Sequence, residues 1–321
     1  MNLKTDIPLT KQQHNQIDYN SKLLLIGSCF SENIGEKFKY FKFQSRVNPF
    51  GILFHPLAIE NLITRAINQD YYTEDELTFH NEQWCCLDAH SKLNSASKSD
   101  LLKRLNAQIK FTNQQIKEST HIIITLGTSW VYRHIASDNI VANCHKLPQK
   151  QFLKELLSVE QILESLEAII SLVRSINPKV NFIFTVSPVR HIKDGFIENT
   201  RSKAHLITAI HQITKGNRSL SEVEMYFPSY EIMMDELRDY RFYSADMIHP
   251  NEVAINYIWD KFIKVWISET SNLTMEDIET VQKGLKHKPF NSNSEAHQLF
   301  IAKLEKLIKD LCKKYPHFNF D

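Results

Sequence analysis

The side chains best suited to chemistry lie in two short segments, the first of them near residue 28. An apolar run from Leu23 to Ile26 leads into Gly27, and a hydroxyl and a thiol follow at Ser28 and Cys29. A buried strand that turns into a helix exposes a side chain at the turn, beside helix-start N–H groups that can hold an oxyanion. The pattern therefore predicts a nucleophile in this turn.

The second segment, Asp246-Met247-Ile248-His249-Pro250, carries an acid and a base three residues apart. A catalytic base needs a partner that fixes its tautomer and stabilises the imidazolium formed during attack. His249 and Asp246 fit these two roles, and the alternative is a helix-capping aspartate followed by an incidental histidine. Together the two segments favour an acyl-transfer enzyme.

The composition argues against several other classes of protein. The 38 basic and 37 acidic residues nearly cancel, so no basic field is available for nucleic acid or an anionic membrane. The 14 histidines are scattered and the five cysteines form no CxxC pair, so we expect reduced thiols, no metal and no cofactor. Because residues 1–20 are polar and no apolar stretch approaches ~18 residues, we expect a cytoplasmic protein without a membrane span.

Strand-like and helix-like segments alternate along the first 270 residues. The hydrophobic pattern predicts strands over 22–26, 121–126, 180–186 and 222–227, and helices over 31–40, 55–68, 98–118, 152–176, 200–213 and 250–268. Residues 131–150 are expected to be irregular. The alternation predicts an α/β fold with a mainly parallel sheet covered on both faces. The chain becomes polar and helical beyond 272, which predicts a catalytic domain over 1–271 and a helical extension over 272–321.

Five sequence blocks resemble a known family. They are Gly27-Ser28-Cys29-Phe30, Asn48-Pro49-Phe50-Gly51, Thr125-Leu126-Gly127-Thr128-Ser129-Trp130, Ser187-Pro188-Val189-Arg190-His191 and Asp246-Met247-Ile248-His249-Pro250. Over roughly residues 20–270 the chain resembles the GSCFA family, which is similar to the SGNH/GDSL hydrolase superfamily. The resemblance implies a three-layer α/β/α fold. It also implies ester hydrolysis or acyl transfer, commonly on carbohydrate or lipid esters.

The resemblance leaves the nucleophile open between two adjacent residues. The superfamily motif is a strand, then Gly-Asp-Ser, then a helix, and a gapless alignment puts Cys29 at the serine position. A shift by one residue makes Ser28 the nucleophile but displaces the glycine. Cysteine is intrinsically the better nucleophile, so Cys29 is the first choice. In a third alternative, Cys29 packs as a small buried hydrophobe and Ser28 caps the helix.

The resemblance further implies an oxyanion hole built from two N–H groups and one asparagine amide. Gly51, which follows Asn48, matches the glycine block, whereas Ser129, which follows Gly127, stands where the superfamily has asparagine. A hydroxyl has less reach, so either Ser129 suffices, or the amide comes from Asn48 or Asn143, or hydrolysis is weak. Losing one oxyanion donor typically costs ~100- to 1000-fold in rate.

Arg190 and His191 follow the third predicted strand. Ligands of open α/β sheets bind beyond the carboxyl ends of the strands, so this pair is expected to hold a carboxylate, a phosphate or a sugar hydroxyl unless it is a solvated loop. The sequence thus predicts a hydrolase or acyltransferase for a small-molecule or carbohydrate ester. The rival prediction is a non-catalytic module that holds a glycan or acyl ligand.

Overall fold

The computed structural model describes residues 5–216 and 226–320. Its strands are β1 (Lys22–Gly27), β2 (Gln44–Val47), β3 (Leu77–His80), β4 (Gln83–Cys86), β5 (His121–Leu126), β6 (Trp130–His134), β7 (Asn139–Val141), β8 (Phe152–Leu156) and β9 (Asn181–Val186). Its helices are α1 (Cys29–Tyr40), α2 (Pro56–Asn68), α3 (Lys98–Glu118), α4 (Val159–Ile176), α5 (Phe196–Gly216), α6 (Ser229–Glu231), α7 (Glu252–Trp266), α8 (Glu269–Lys286) and α9 (Glu295–Lys314).

The central sheet is parallel, with strand order β2-β1-β5-β9. Successive side chains of a strand point to opposite faces, so each strand contributes to two cores. Leu24 and Ile26 belong to a core that is closed by α2, α3, α4 and α5. Leu23 and Leu25 belong to a second core with α1, α7, α8 and α9. The prediction of an α/β fold with a mainly parallel sheet is confirmed.

The region from residue 130 to residue 158 differs from its prediction. Residues 131–150 are irregular only in part, because β6 and β7 pair antiparallel over Tyr132–Val141 and no strand or helix follows until residue 149. Residues 152–156 are not helical but form β8, which pairs with β6 from Trp130↔Leu156 onward. The helix begins only at α4, where Ser158 accepts from the Gln161 N–H and the Gln161 side chain accepts from the Ser158 N–H.

Other short strands depart from the prediction as well. The strand β2 and the β3–β4 hairpin were not predicted. The strand predicted over 222–227 lies mostly outside the described residues, and Tyr226 forms a single parallel bridge to Phe184. The turn predicted at residues 48–51 is present, with the Gly51 N–H donating to the Asn48 carbonyl at 2.8 Å.

The helical extension folds back onto the second core. Met275 and Ile278 of α8 and Leu304 and Leu311 of α9 are buried there. Within the described parts of the chain, no helix combines the length and apolar character that crossing a membrane requires.

Candidate active site

The turn at Gly27 is fixed by hydrogen bonds to both neighbouring strands. The Gly27 N–H donates to Asn48 Oδ1 at 2.9 Å, and the Ser28 N–H donates to the Thr125 carbonyl at 3.0 Å. Gly27 has φ +145°, and a Cβ on it would lie 2.1 Å from the Thr125 carbonyl oxygen. Only glycine meets both conditions, so the residue type and the sheet together set the direction in which α1 leaves.

The two candidate nucleophiles have different environments. Ser28 is fully buried, and its Oγ accepts from the Phe30 N–H at 3.2 Å as the N-cap of α1. Cys29 is the first residue of α1 and is half-buried. The serine hydroxyl is thus used to start the helix, whereas the thiol is left at the surface of the turn.

The environment of the Cys29 thiol contains opposing influences. Burial raises the pKa of the Cys29 thiol, and Glu32 raises it further. The N–H groups of Cys29 and Phe30 and the charge of Lys203 act in the other direction and lower that pKa. The helix start therefore offers donors to negative charge on the sulfur, but it does not produce a thiolate in the resting protein.

Asp246 and His249 form a hydrogen-bonded pair on the loop before α7. Asp246 Oδ2 accepts from His249 Nδ1 at 2.7 Å, and both side chains are about half exposed. Asp246 Oδ1 accepts from the N–H groups of Ile248 and His249 at 2.9 and 3.0 Å. These backbone N–H groups first, and then the imidazole, lower the pKa of Asp246 to about 2. An ionised Asp246 keeps the proton on Nδ1 and leaves Nε2 with the lone pair that a general base needs.

Arg190 braces this loop from the end of β9. Its guanidinium donates to the Met247 carbonyl at 3.0 Å, and its N–H donates to the Ile248 carbonyl at 3.2 Å. The guanidinium lies over the rings of Phe196, Tyr240 and Tyr243, 5.3 to 5.7 Å from their centroids. The guanidinium of Arg190, which was predicted to bind a ligand, is thus hydrogen-bonded to the loop that carries His249.

Cys29 and His249 line the same pocket, which has a volume of about 480 Å³. The other lining residues are Glu32, Asn33, Glu36, Lys37, Ser244, Pro250, Asn251, Glu252 and Ile255. Chain folding therefore brings the two predicted segments, some 220 residues apart, to the mouth of one cavity. A thiol, an imidazole and a carboxylate in this order can perform nucleophilic catalysis on a carbonyl carbon.

Most of the predicted oxyanion groups already have hydrogen-bond partners. The N–H of Gly51 donates to Asn48, and that of Gly127 donates to the Phe54 carbonyl at 2.8 Å. Ser129 is fully buried, and its N–H and hydroxyl both donate to Ser202. None of these three groups lines the pocket that contains Cys29 and His249.

Two asparagines were the alternative amide donors, and they differ. Asn48 directly follows β2 and reaches the carboxyl end of β1, where its Oδ1 accepts from the Gly27 N–H, while its Nδ2 is buried without a hydrogen-bond partner among the described residues. Asn143 is half-buried in the loop after β7, where its Oδ1 accepts from the His145 N–H at 2.8 Å. The carboxyl end of β1 is also where α1 begins, so Asn48 is the better located of the two.

His191 and a residue that the sequence reasoning missed, Lys203, lie near these strand ends. Burial first, and then the charges of Lys203 and His249, lower the pKa of His191 to about 3, so its imidazole is neutral. Lys203 is 1 % exposed, and its Nζ donates to the carbonyls of Gly127 and Ser187 at 2.7 Å each. The sequence did contain a signal for the burial of Lys203, because this lysine lies on the same face of α5 as Leu206 and Ile210.

The comparisons with known proteins agree with the chain organisation seen here. The sequence model that defines the GSCFA family matches residues 22–262, which include both segments of the candidate site. The model described as GSCFA domain protein, C-terminal domain, matches residues 278–321. A comparison with curated proteins found no match. Because the family model covers most of the chain, the protein belongs to the GSCFA family.

Proposed function

We propose that the protein is an esterase or O-acyltransferase that works through a covalent acyl-enzyme on Cys29. The observation that carries the proposal is the shared pocket of Cys29 and His249, with Asp246 hydrogen-bonded to the imidazole at 2.7 Å. An SGNH-like descent of the fold belongs to the same proposal, as does a cytoplasmic location, which suits the five free thiols.

In this mechanism the Cys29 sulfur attacks the carbonyl carbon of an ester while His249 Nε2 takes the thiol proton. The negative oxygen accepts hydrogen bonds at the start of α1, where the Cys29 N–H is the nearest donor. The C–O bond of the tetrahedral intermediate then breaks, the alcohol leaves with the proton from His249, and a thioester remains. Water or a sugar hydroxyl attacks the thioester with His249 again as base, which restores the thiol.

The charge and exposure of the pocket narrow the reaction. The pocket lining contains three carboxylates, those of Glu32, Glu36 and Glu252, and one ammonium, that of Lys37. A neutral or cationic ester is therefore favoured as substrate over a phosphate-bearing one. The half-exposed His249 is open to water, which favours hydrolysis over transfer. Hydrolysis of a neutral carbohydrate ester agrees with both the charge of the pocket and its access to water.

A set of single variants tests the proposal on short-chain p-nitrophenyl esters. We expect Cys29→Ala and His249→Ala to lose at least about 100-fold in kcat/KM, and Ser28→Ala to keep most of the activity. Cys312→Ala is the matched control, because that half-buried thiol lies on α9 in the second core. Mass spectrometry of protein quenched during turnover should find the acyl group on the peptide that contains Cys29.

Full activity of Cys29→Ala, with no acylated peptide, would exclude the thiol as nucleophile. An inactive Ser28→Ala beside an active Cys29→Ala would assign the nucleophile to Ser28.

A second candidate function, a non-catalytic module that binds a glycan or acyl ligand, is favoured by two observations. Burial raises the pKa of the Cys29 thiol, and the N–H groups of Gly51 and Gly127 are engaged within the fold. Such a module would bind neutral glycans at the pocket with an affinity that Cys29→Ala leaves unchanged. The variants above separate the two functions, because only the enzyme loses turnover.

A further inference from the structure

Lys203 is a fully buried lysine located between two strand ends. It extends from α5 to the carboxyl ends of β5 and β9, where Nζ donates to the carbonyls of Gly127 and Ser187. Among the described residues, no carboxylate makes a salt bridge with it, and its Nζ lies 5.6 Å from the centroid of the Tyr230 ring. Burying a cation that has no ion-pair partner is costly, so its presence in the interior calls for a physical role.

The location of Lys203 suggests that role. Thr125, one strand position before the end of β5, accepts from the Ser28 N–H, so the carboxyl end of β5 adjoins the start of α1. Cys29 lies two residues beyond Gly27, which pairs with Thr125, and Lys203 donates to Gly127, two residues beyond Thr125, so both side chains lie at the same end of two adjacent strands. The amine is buried there and does not line the pocket that contains Cys29 and His249.

We propose that Lys203 is an electrostatic positioning residue, whose buried ammonium stabilises negative charge on the Cys29 sulfur. The inference rests on the proposed function, in which that sulfur is the nucleophile. Two carbonyl acceptors hold Nζ in place, so the charge is preorganised and needs no rearrangement when negative charge develops.

Several other charged or titratable groups face this pair. Those around Lys203 are Glu231 and Tyr230 of α6 and the neutral His191, and those around Cys29 are Glu32, Glu36, Lys37, Glu252 and His249. Burial lowers the pKa of Lys203 to about 7, against the opposing influence of Cys29 and Glu231. Lys203 is therefore charged below about pH 7 and neutral well above it. Replacing Lys203 changes none of the other side chains, but it removes one of the charges that lower the pKa of His191.

The test compares the wild type with Lys203→Met in the full chain. The readout is the rate constant for alkylation of Cys29 by iodoacetamide between pH 5.5 and 9.5, measured by peptide mass spectrometry. Below pH 7 we expect Cys29 to react about three- to tenfold faster in the wild type, because the ammonium increases the thiolate fraction. The ratio should approach one as Lys203 loses its proton, and Cys144, whose pKa burial also raises, should show a ratio of one throughout.

A purely structural Lys203 would change the Cys29 rate by the same factor at every pH, and this outcome would overturn the proposal. A ratio of one across the whole range would overturn it as well.

A second measurement uses the wild-type sequence, so it does not depend on the folding of Lys203→Met. Iodoacetate places a carboxylate on Cys29, and iodoacetamide places a neutral amide of nearly the same size there. With ¹³C-labelled lysine, the NMR signal that titrates near pH 7 reports Lys203. We expect its apparent pKa to be higher by about 0.5 to 1 in the carboxymethyl adduct. Identical titrations of the two adducts would contradict the proposal.

Neither readout uses ester turnover, so the two proposals can fail separately. A pH-dependent alkylation ratio in a protein without esterase activity would retain the role of Lys203 and remove the enzyme. Full esterase activity with a pH-independent alkylation ratio would retain the enzyme and remove the role of Lys203.

Discussion

The two halves of the candidate site are held by different kinds of structure. The turn at Cys29 follows an inner strand of a parallel sheet, and its backbone N–H groups donate to Asn48, which directly follows β2, and to Thr125 of β5. The loop at His249 lies on the surface and is held by local hydrogen bonds and by Arg190. The position of the nucleophile is therefore fixed by the core, whereas the position of the base depends on a few solvent-exposed polar contacts.

This difference suggests how each half responds to substitution. Changes at the turn should act mainly on folding, because a backbone clash there is transmitted to the sheet. Changes at the loop should act mainly on turnover, because half-exposed polar contacts contribute little to stability. Four variants test this contrast.

Gly27→Ala should have the largest effect. A Cβ at this position would lie 2.1 Å from the Thr125 carbonyl oxygen, on a residue with φ +145°. We expect a loss of about 3 kcal/mol or more in the free energy of unfolding, measured by urea denaturation. In the control Gly284→Ala, the new Cβ meets only the ends of the Leu304 and Phe300 side chains and no backbone atom, so that variant should lose much less. Equal stabilities of the two variants would mean that the turn is not rigid.

Asp246→Asn should leave stability nearly unchanged and reduce activity. The amide oxygen can still accept from the Ile248 and His249 N–H groups, so the loop should keep its shape. The imidazole loses the anion that fixes its tautomer, and we expect kcat/KM on p-nitrophenyl acetate to fall by ~100- to 10,000-fold. Activity within a few-fold of the wild type would remove Asp246 from the mechanism.

Arg190→Met should have an intermediate effect on the same loop. The Met247 carbonyl loses its guanidinium donor, and three aromatic rings lose their cation. We expect faster amide exchange over residues 244–249 and a fall of about tenfold in kcat/KM. Arg238→Met is the matched control, because Arg238 is an exposed arginine that shortly precedes the loop in sequence. Unaltered exchange in Arg190→Met would show that the loop holds its shape without this brace.

Ser28→Ala should have the smallest effect and should act on stability alone. Its hydroxyl caps α1 by accepting from the Phe30 N–H, and loss of such a cap costs about 1 kcal/mol. Calorimetry would detect the lower melting temperature, while turnover per folded molecule should stay within twofold of the wild type. A stable but inactive Ser28→Ala would reverse the assignment of cap and nucleophile.

The parts of the fold that the sequence predicted are those with a strong local signal. Strands β1, β5 and β9 are continuous apolar runs, and α2 and α3 show helical periodicity with caps, so their bounds agree closely with the prediction. The strand β8 did not have that signal. It depends on pairing with β6, and its apolar residues Phe152, Leu153 and Leu156 lie at a spacing that fits the helical pattern of α4, so periodicity alone merged the two.

The candidate site shows the same division. The sequence located Cys29 and the pair of Asp246 and His249, because each lies in a local motif. It could not indicate that Ser129 is hydrogen-bonded to Ser202, or that Lys203 donates to carbonyls at two strand ends. These contacts join α5 to the ends of β5 and β9 across the interior of the protein. Contacts between distant segments leave little trace in a single sequence.

The last helix has a consequence for how the chain is built. The rings of Tyr315 and Phe318 pack against that of Tyr19 in tilted and edge-on contacts, so segments close to the two ends of the described chain meet on one side of the sheet. Among the described residues, the buried core of the opposite side is assembled from residues between Leu24 and Ile213, with Tyr226 and Tyr230 packed against it. During synthesis that side can consolidate while translation continues, whereas the side that carries Cys29 stays incomplete until α9 and Phe318 have emerged from the ribosome. The thiol should thus acquire its finished surroundings later than the opposite core does.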